Sequence, residues 1–161
     1  MKIISNKNII VIFTITILFI INYLILYIYP SRPDKWYEEL KKPNLNPPNI
    51  IFPIVWTILY ILIIISYYYG LNKIKYEYWI IPIIHLLLNF SYSPVFFNYK
   101  QLLLSSIITL LTLVFAIITL VIFNLRITYI LMFPYIIWLL FANYLSWSIF
   151  IINKNNKKIE I

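Results

Sequence analysis

Five apolar blocks separated by short polar breaks constrain this chain more than any other feature. They run over about 9–29, 48–69, 78–97, 102–123 and 127–152. Each is close to the ~20 residues a helix needs to cross the hydrocarbon core of a bilayer. Composition agrees: 63% of residues are apolar, 11% are charged, and mean hydropathy is +0.88. That leaves too little polar surface to cover a soluble domain of 161 residues. The expected fold is all-α, an integral membrane bundle of five transmembrane helices. It forms one domain over residues 1–153, with a basic C-terminal tail over 154–161. Lys2 and Lys7 give the first block a basic start. Its apolar run is too long for a signal peptide and has no small-residue cleavage site, so it reads as a retained helix. The chain has no cysteine, which excludes disulfide and thiol chemistry.

The formal charge of +8 fits loops lying beside anionic headgroups rather than a nucleic-acid surface. With five spans, Lys2, Lys7, Lys73, Lys75 and Arg126 share one side. Arg32, Lys35, Lys41, Lys42, Lys100, Lys154, Lys157 and Lys158 share the other. The larger basic set marks the cytoplasmic side, so the expected topology has the N-terminus outside and the C-terminus inside. Heavy use of isoleucine, lysine and asparagine points to an AT-rich bacterial genome, and so to the bacterial cell membrane.

The first connection is the least like a linker. Six of the nine prolines fall between Pro30 and Pro53. Ser31-Arg-Pro-Asp34 has capping-box spacing ahead of a short helix. Trp36, Tyr37 and Leu40 share one face of that helix, which is expected to lie at the membrane surface, aromatic side down. Lys35–Glu39 and Glu38–Lys42 are i,i+4 pairs on its other faces. Pro47-Pro48 are expected in the first turn of the second span. Gly70, the single glycine, is expected as that span's C-cap.

The candidate chemistry is mostly negative. Asp34, Glu38, Glu39, Glu77 and Glu160 all fall in loops or the tail, whereas ion-coupled transporters bury such groups as their relay. One histidine and no cysteine cannot build a metal cluster, so no metal site is expected. No nucleophile–base pair presents itself. What remains within the spans is aromatic and amide. Trp56, Tyr60, Ile63 and Tyr67 form one helical stripe. His85, Asn89, Tyr92 and Phe96 form a second, and Tyr135, Trp138, Ala142 and Leu145 a third, just after Pro134. Turned inward, such stripes line an apolar cavity with few polar anchors, the usual make-up of a small-molecule pocket. The competing reading is ordinary helix packing. His85 beside Asn89 reads as an interhelical hydrogen-bonding pair rather than an axial haem ligand.

Three groups of residues carry a resemblance. Trp36-Tyr37, Leu40, Lys42-Pro43 and Pro47-Pro48 are followed by Val55-Trp56-Thr57 and Leu59-Tyr60. Leu88-Asn89, Ser93-Pro94-Val95-Phe96-Phe97 and Lys100-Gln101 mark the third span and its exit. Pro134-Tyr135, Trp138, Phe141-Ala142, Leu145 and Asn153 lie in the fifth. In this order they resemble the TspO/translocator-protein family, the tryptophan-rich sensory proteins or peripheral benzodiazepine receptors.

The resemblance implies a five-helix bundle, often a homodimer, with the first loop as a lid over a cavity. It implies tetrapyrrole ligands such as protoporphyrin IX or haem, with synthetic isoquinoline or benzodiazepine ligands as further partners. No cofactor is required. Tyr37, Trp56, Tyr60, Asn89, Trp138, Ala142 and Leu145 are the ligand-binding candidates, and Lys41 and Lys42 stand where they would attract porphyrin carboxylates. The implied function is porphyrin sensing, transport or buffering. The alternatives are light-dependent porphyrin degradation, with Trp56 and Trp138 as the catalytic candidates, and a membrane regulator that docks a protein partner. The chain departs from the family at Leu45, Phe90 and Tyr92, where tryptophans are common. The sterol-recognition segment of animal members is also broken: Trp147 and Ile151 stand at its tyrosine and arginine. That argues for tetrapyrrole over sterol.

Overall fold

The computed structural model describes residues 5–154. Lys2 and the tail residues 155–161 lie outside the described residues. Among the described residues, five helical stretches are long and apolar enough to span a membrane. They are α1 (Asn6–Ile28), α3 (Ile51–Lys73), the helical stretch Tyr76–Asn98 built around α4 (Ile80–Ser93), α5 (Leu102–Phe123) and α6 (Arg126–Asn153); α2 (Lys35–Glu39) is a short helix in the first loop. A 3-10 turn, Tyr76–Tyr78, leads into α4, and a π-helical turn, Pro94–Asn98, continues it. The described residues contain no strand. In hydrocarbon every backbone N–H and C=O must be satisfied internally, which is why these blocks are helical. At 1.5 Å per residue α1 is about 35 Å long, enough to cross the apolar core.

Around the bundle the order is α1, α3, α6, α5, α4, with α4 closing back on α1. Outward faces are greasy throughout, with Phe13 and Phe133 each 64% exposed. Such a surface suits lipid and would aggregate in water. Inward faces mix apolar and small polar side chains. Asn143 Nδ2 on α6 donates to the Thr109 carbonyl on α5 at 3.1 Å, and the Ser106 and Ser146 hydroxyls meet at 3.0 Å. In lipid, where apolar burial does not drive helices together, such contacts and close packing hold the bundle.

Several local expectations are corrected. Asp34, not Ser31, caps α2: its Oδ1 accepts from the Tyr37 N–H at 2.9 Å. An N-cap must immediately precede the first helical residue, here Lys35. Ser31 instead pairs its hydroxyl with Ser93 on α4. Neither expected i,i+4 ion pair forms; Lys42 lies beyond the single turn of α2, and its ammonium goes to the Tyr37 carbonyl instead. Asp34–Lys100, at 3.2 Å, is the one ion pair among the described residues. Helix α3 starts at Ile51, after Pro47-Pro48, so the proline in its first turn is Pro53.

Gly70 is no C-cap. It lies inside α3, which runs on to Lys73, and a Cβ there would run into the ring of Phe123 on α5. The glycine therefore permits close approach of two helices. The end of α3 closes through the Ile74 N–H on the Gly70 carbonyl, at 3.1 Å. Helix α6 continues unbroken through Pro134.

Candidate functional site

At the end of the bundle that carries the first loop, α3, α4, α5 and α6 enclose a chamber of about 550 Å³. This is within the ~300–1,000 Å³ range of small-molecule pockets. Helix α3 supplies Trp56 and Tyr60, α4 supplies Asn89 and Tyr92, the π-helical turn supplies Phe96, and α6 supplies Trp138, Ala142 and Leu145. The loop contributes Tyr37, Asn46 and Asn49. All seven residues selected from the sequence, Tyr37, Trp56, Tyr60, Asn89, Trp138, Ala142 and Leu145, line this one space.

The stripes divide by depth. Their upper members face the chamber. Ile63, Tyr67, His85 and Tyr135 lie beneath it, fully or almost fully buried, in the packed core. One stripe thus serves both readings, pocket above and packing below.

Aromatic contacts set the walls. Trp56 lies 5.4 Å from Tyr60 and 6.2 Å from Tyr135, centroid to centroid. Trp138 is held between Phe52, at 6.0 Å, and Phe141, at 5.6 Å. Its indole N–H is buried with no acceptor among the described residues. From the chamber wall a chain of polar contacts runs down into the core. Tyr60 Oη donates to Asn89 Oδ1 at 3.0 Å, and Asn89 Nδ2 donates to Tyr135 Oη at 3.0 Å. Tyr135 Oη is 2.8 Å from His85 Nε2, and His85 Nδ1 is 2.5 Å from Tyr67 Oη. His85 is therefore an interhelical hydrogen-bonding residue, joined to Asn89 through Tyr135. Both its ring nitrogens are engaged below the floor, which leaves no free position for axial ligation.

The loop is fastened over the mouth at three points. Lys41 and Asn153 exchange two hydrogen bonds, Asp34 pairs with Lys100, and Ser31 meets Ser93. The π-helical turn makes the second of these available. Pro94 has no N–H and disturbs the regular ladder. The chain answers with Tyr99 N–H on the Pro94 carbonyl at 3.0 Å, followed by Lys100 at φ 56°. This brings the Lys100 ammonium to Asp34 and places Phe96 under Trp36 and Tyr37, at 5.8 and 6.1 Å. The Tyr37 N–H, and secondarily Lys100, hold the Asp34 carboxyl below its ordinary range. Burial pushes the Tyr37 phenol up and the Lys42 ammonium down. Lys42 turns inward. Its Nζ donates to the Tyr37 carbonyl at 2.6 Å and sits 4.3 Å from the centre of the Tyr37 ring. It is thus engaged within the loop rather than free for a ligand, while Lys41 keeps an exposed side chain.

Sequence reasoning missed several contributions, the loop residues Asn46 and Asn49 among them. Thr109 and Thr112 of α5 also line the chamber, each donating its hydroxyl to its own helix and leaving only oxygen lone pairs inward. Their i,i+3 spacing was the available signal. The π-helical turn was missed too, although Pro94 inside an apolar run marked it.

Comparison with known proteins agrees with this architecture. Residues 10–152 match the TspO/MBR family. The tryptophan-rich protein TspO of Bacillus cereus is 30% identical over 124 residues, covering 73% of this chain and 80% of its own. The uncharacterised membrane protein YtaB of Bacillus subtilis is 33% identical, covering 81% and 90%. The tryptophan-rich sensory protein of Cereibacter sphaeroides is 30% identical, covering 77% and 80%. With five apolar helices, an aromatic chamber and a family match over most of its length, the chain is a multi-pass membrane protein that belongs to the TspO/MBR family.

Proposed function

We propose that this protein binds a flat, largely apolar tetrapyrrole of the protoporphyrin class in the chamber beneath the first loop, and that occupancy serves sensing. The observation that carries the reading is that Trp56 and Trp138, from two different helices, line one apolar space with Asn89 among its few polar groups. A macrocycle offers indoles a large face, and each aromatic pair contributes about 0.5–1.5 kcal/mol beyond burial. A fastened loop over the mouth lowers the entropy lost on closing around a ligand. The name of the Cereibacter sphaeroides relative, a sensory protein, supports sensing over bulk transport.

The test is a dark titration of the protein in nanodiscs with protoporphyrin IX, followed by tryptophan quenching. Saturable quenching is expected, with affinity about tenfold weaker when Trp56 and Trp138 are both phenylalanine. Unchanged affinity in that variant puts the ligand elsewhere. Bleaching to a defined product under light would assign degradation instead.

A further inference from the structure

What Asn89 offers a ligand depends on which way its amide is turned, and the hydrogen bonds beneath it decide that. The Pro82 carbonyl only accepts. Tyr67 Oη lies 3.0 Å from this carbonyl and 2.5 Å from His85 Nδ1. A phenol has one hydrogen, and Tyr67 gives it to the carbonyl, so Nδ1 must carry the proton and donate to Tyr67. His85 is fully buried, and no carboxylate lies within α1, α3, α4, α5 or α6. An unpaired imidazolium there would be costly, so the ring is neutral and Nε2 accepts. Tyr135 gives its hydrogen to Nε2, and its oxygen receives one from Asn89 Nδ2. The Asn89 oxygen is thereby turned to Tyr60, which donates to it. Reversing the direction would require Tyr67 to have a second hydrogen. The group left over at Asn89 is its second amide N–H, which has no acceptor among the described residues. The Trp138 indole N–H, also a pure donor, is likewise without one.

We propose that this directional chain makes the Asn89 site a hydrogen-bond donor that selects ligands with a carbonyl or carboxylate oxygen at the edge meeting it, with His85 and Tyr135 as positioning residues. The selection rests on the chamber being the ligand site, whereas the polarity of the chain exists without any ligand.

Two measurements separate these. His85 is the single histidine, so ¹⁵N-histidine labelling of the full chain in nanodiscs yields one pair of ring-nitrogen signals. At neutral pH, Nδ1 is expected protonated and Nε2 bare. Protonation at Nε2, or at both nitrogens, overturns the proposal. The second measurement compares mesoporphyrin dimethyl ester, which has edge carbonyls, with etioporphyrin, which has none, by tryptophan quenching. The ester is expected to bind about fivefold or more tightly, the effect of one desolvated hydrogen bond. Tyr135→Phe, which frees the amide to turn, should reduce the preference to within about twofold, and Asn89→Leu should do the same. Equal affinities in the unaltered protein overturn the selection. If neither macrocycle binds, the tetrapyrrole reading fails, and the nitrogen signals still decide the polarity of the chain.

Discussion

Asn153, in the last turn of α6, clasps the backbone of Lys41 from 112 residues away: its Nδ2 donates to the Lys41 carbonyl at 2.8 Å, and its Oδ1 accepts the Lys41 N–H at 3.1 Å. The Lys41 N–H and C=O belong to successive peptide units, and one asparagine amide offers an acceptor to the first and a donor to the second. Asn153 is 3% exposed, so losing it strands peptide groups that water reaches poorly. The clasp ties the loop to the same helix that supplies Trp138, Ala142 and Leu145 to the chamber. Helix position and loop closure are thereby linked.

Asn153→Leu should weaken closure by about 1–3 kcal/mol, the loss of two hydrogen bonds and the exposure of their partners. Hydrogen exchange of the Tyr37–Lys42 amides should accelerate about tenfold or more, while the amides of α5 keep their protection. Uniform acceleration through the bundle would show that Asn153 supports the fold and not the loop.

Acid should release a second fastening. The folded loop lowers the Asp34 pKa from its ordinary value of 3.8, through the Tyr37 N–H first and Lys100 second. A carboxylate with a depressed pKa contributes stability that is complete above 3.8 and is lost as pH falls through the lower, folded value. With 5-fluorotryptophan in the chain, the ¹⁹F signal of Trp36, whose ring lies 5.4 Å from the Lys100 ammonium, should shift in that acid window. Asp34→Asn keeps the capping oxygen and should abolish the shift. An identical shift in that variant would assign the transition to another group.

Gly70→Ala tests the α3–α5 approach. Alanine gains up to ~1 kcal/mol in helix propensity, but its methyl meets the Phe123 ring in a fully packed site. Overpacking of this kind costs about 1–3 kcal/mol, so the collision should win and thermal unfolding in detergent should fall. Phe123→Leu in the same background makes room and should recover part of the loss. A rise in stability for Gly70→Ala alone would show that the helices yield at this point.

The five spans were legible because a helix in lipid is declared by length and apolarity alone, as Leu102–Phe123 demonstrates. The residues of the chamber were legible because helical spacing puts Trp56 and Tyr60, or Trp138, Ala142 and Leu145, on one face. Depth along that face was not, since spacing does not say where the chamber stops and Tyr67 or Tyr135 begins to pack. Helix ends were read less well. Gly70 has the look of a C-cap, and only the position of Phe123 on another helix shows why a glycine is there. Ser31 and Asp34 are both competent caps, and only the first helical residue decides between them. The clasp between Asn153 and Lys41 is a contact across the whole chain, which local pattern cannot reach.

Porphyrin binding in the chamber is tested most directly with the five tryptophans as reporters. With 5-fluorotryptophan throughout, paramagnetic manganese protoporphyrin IX is titrated into the protein in nanodiscs and the ¹⁹F signals are followed. Trp56 and Trp138 should broaden first and most strongly. Trp79, packed beside the Tyr76–Tyr78 turn at the opposite end of the bundle, should stay sharp. Equal broadening of Trp79, or unchanged signals from Trp56 and Trp138 at saturating porphyrin, would contradict binding in the chamber.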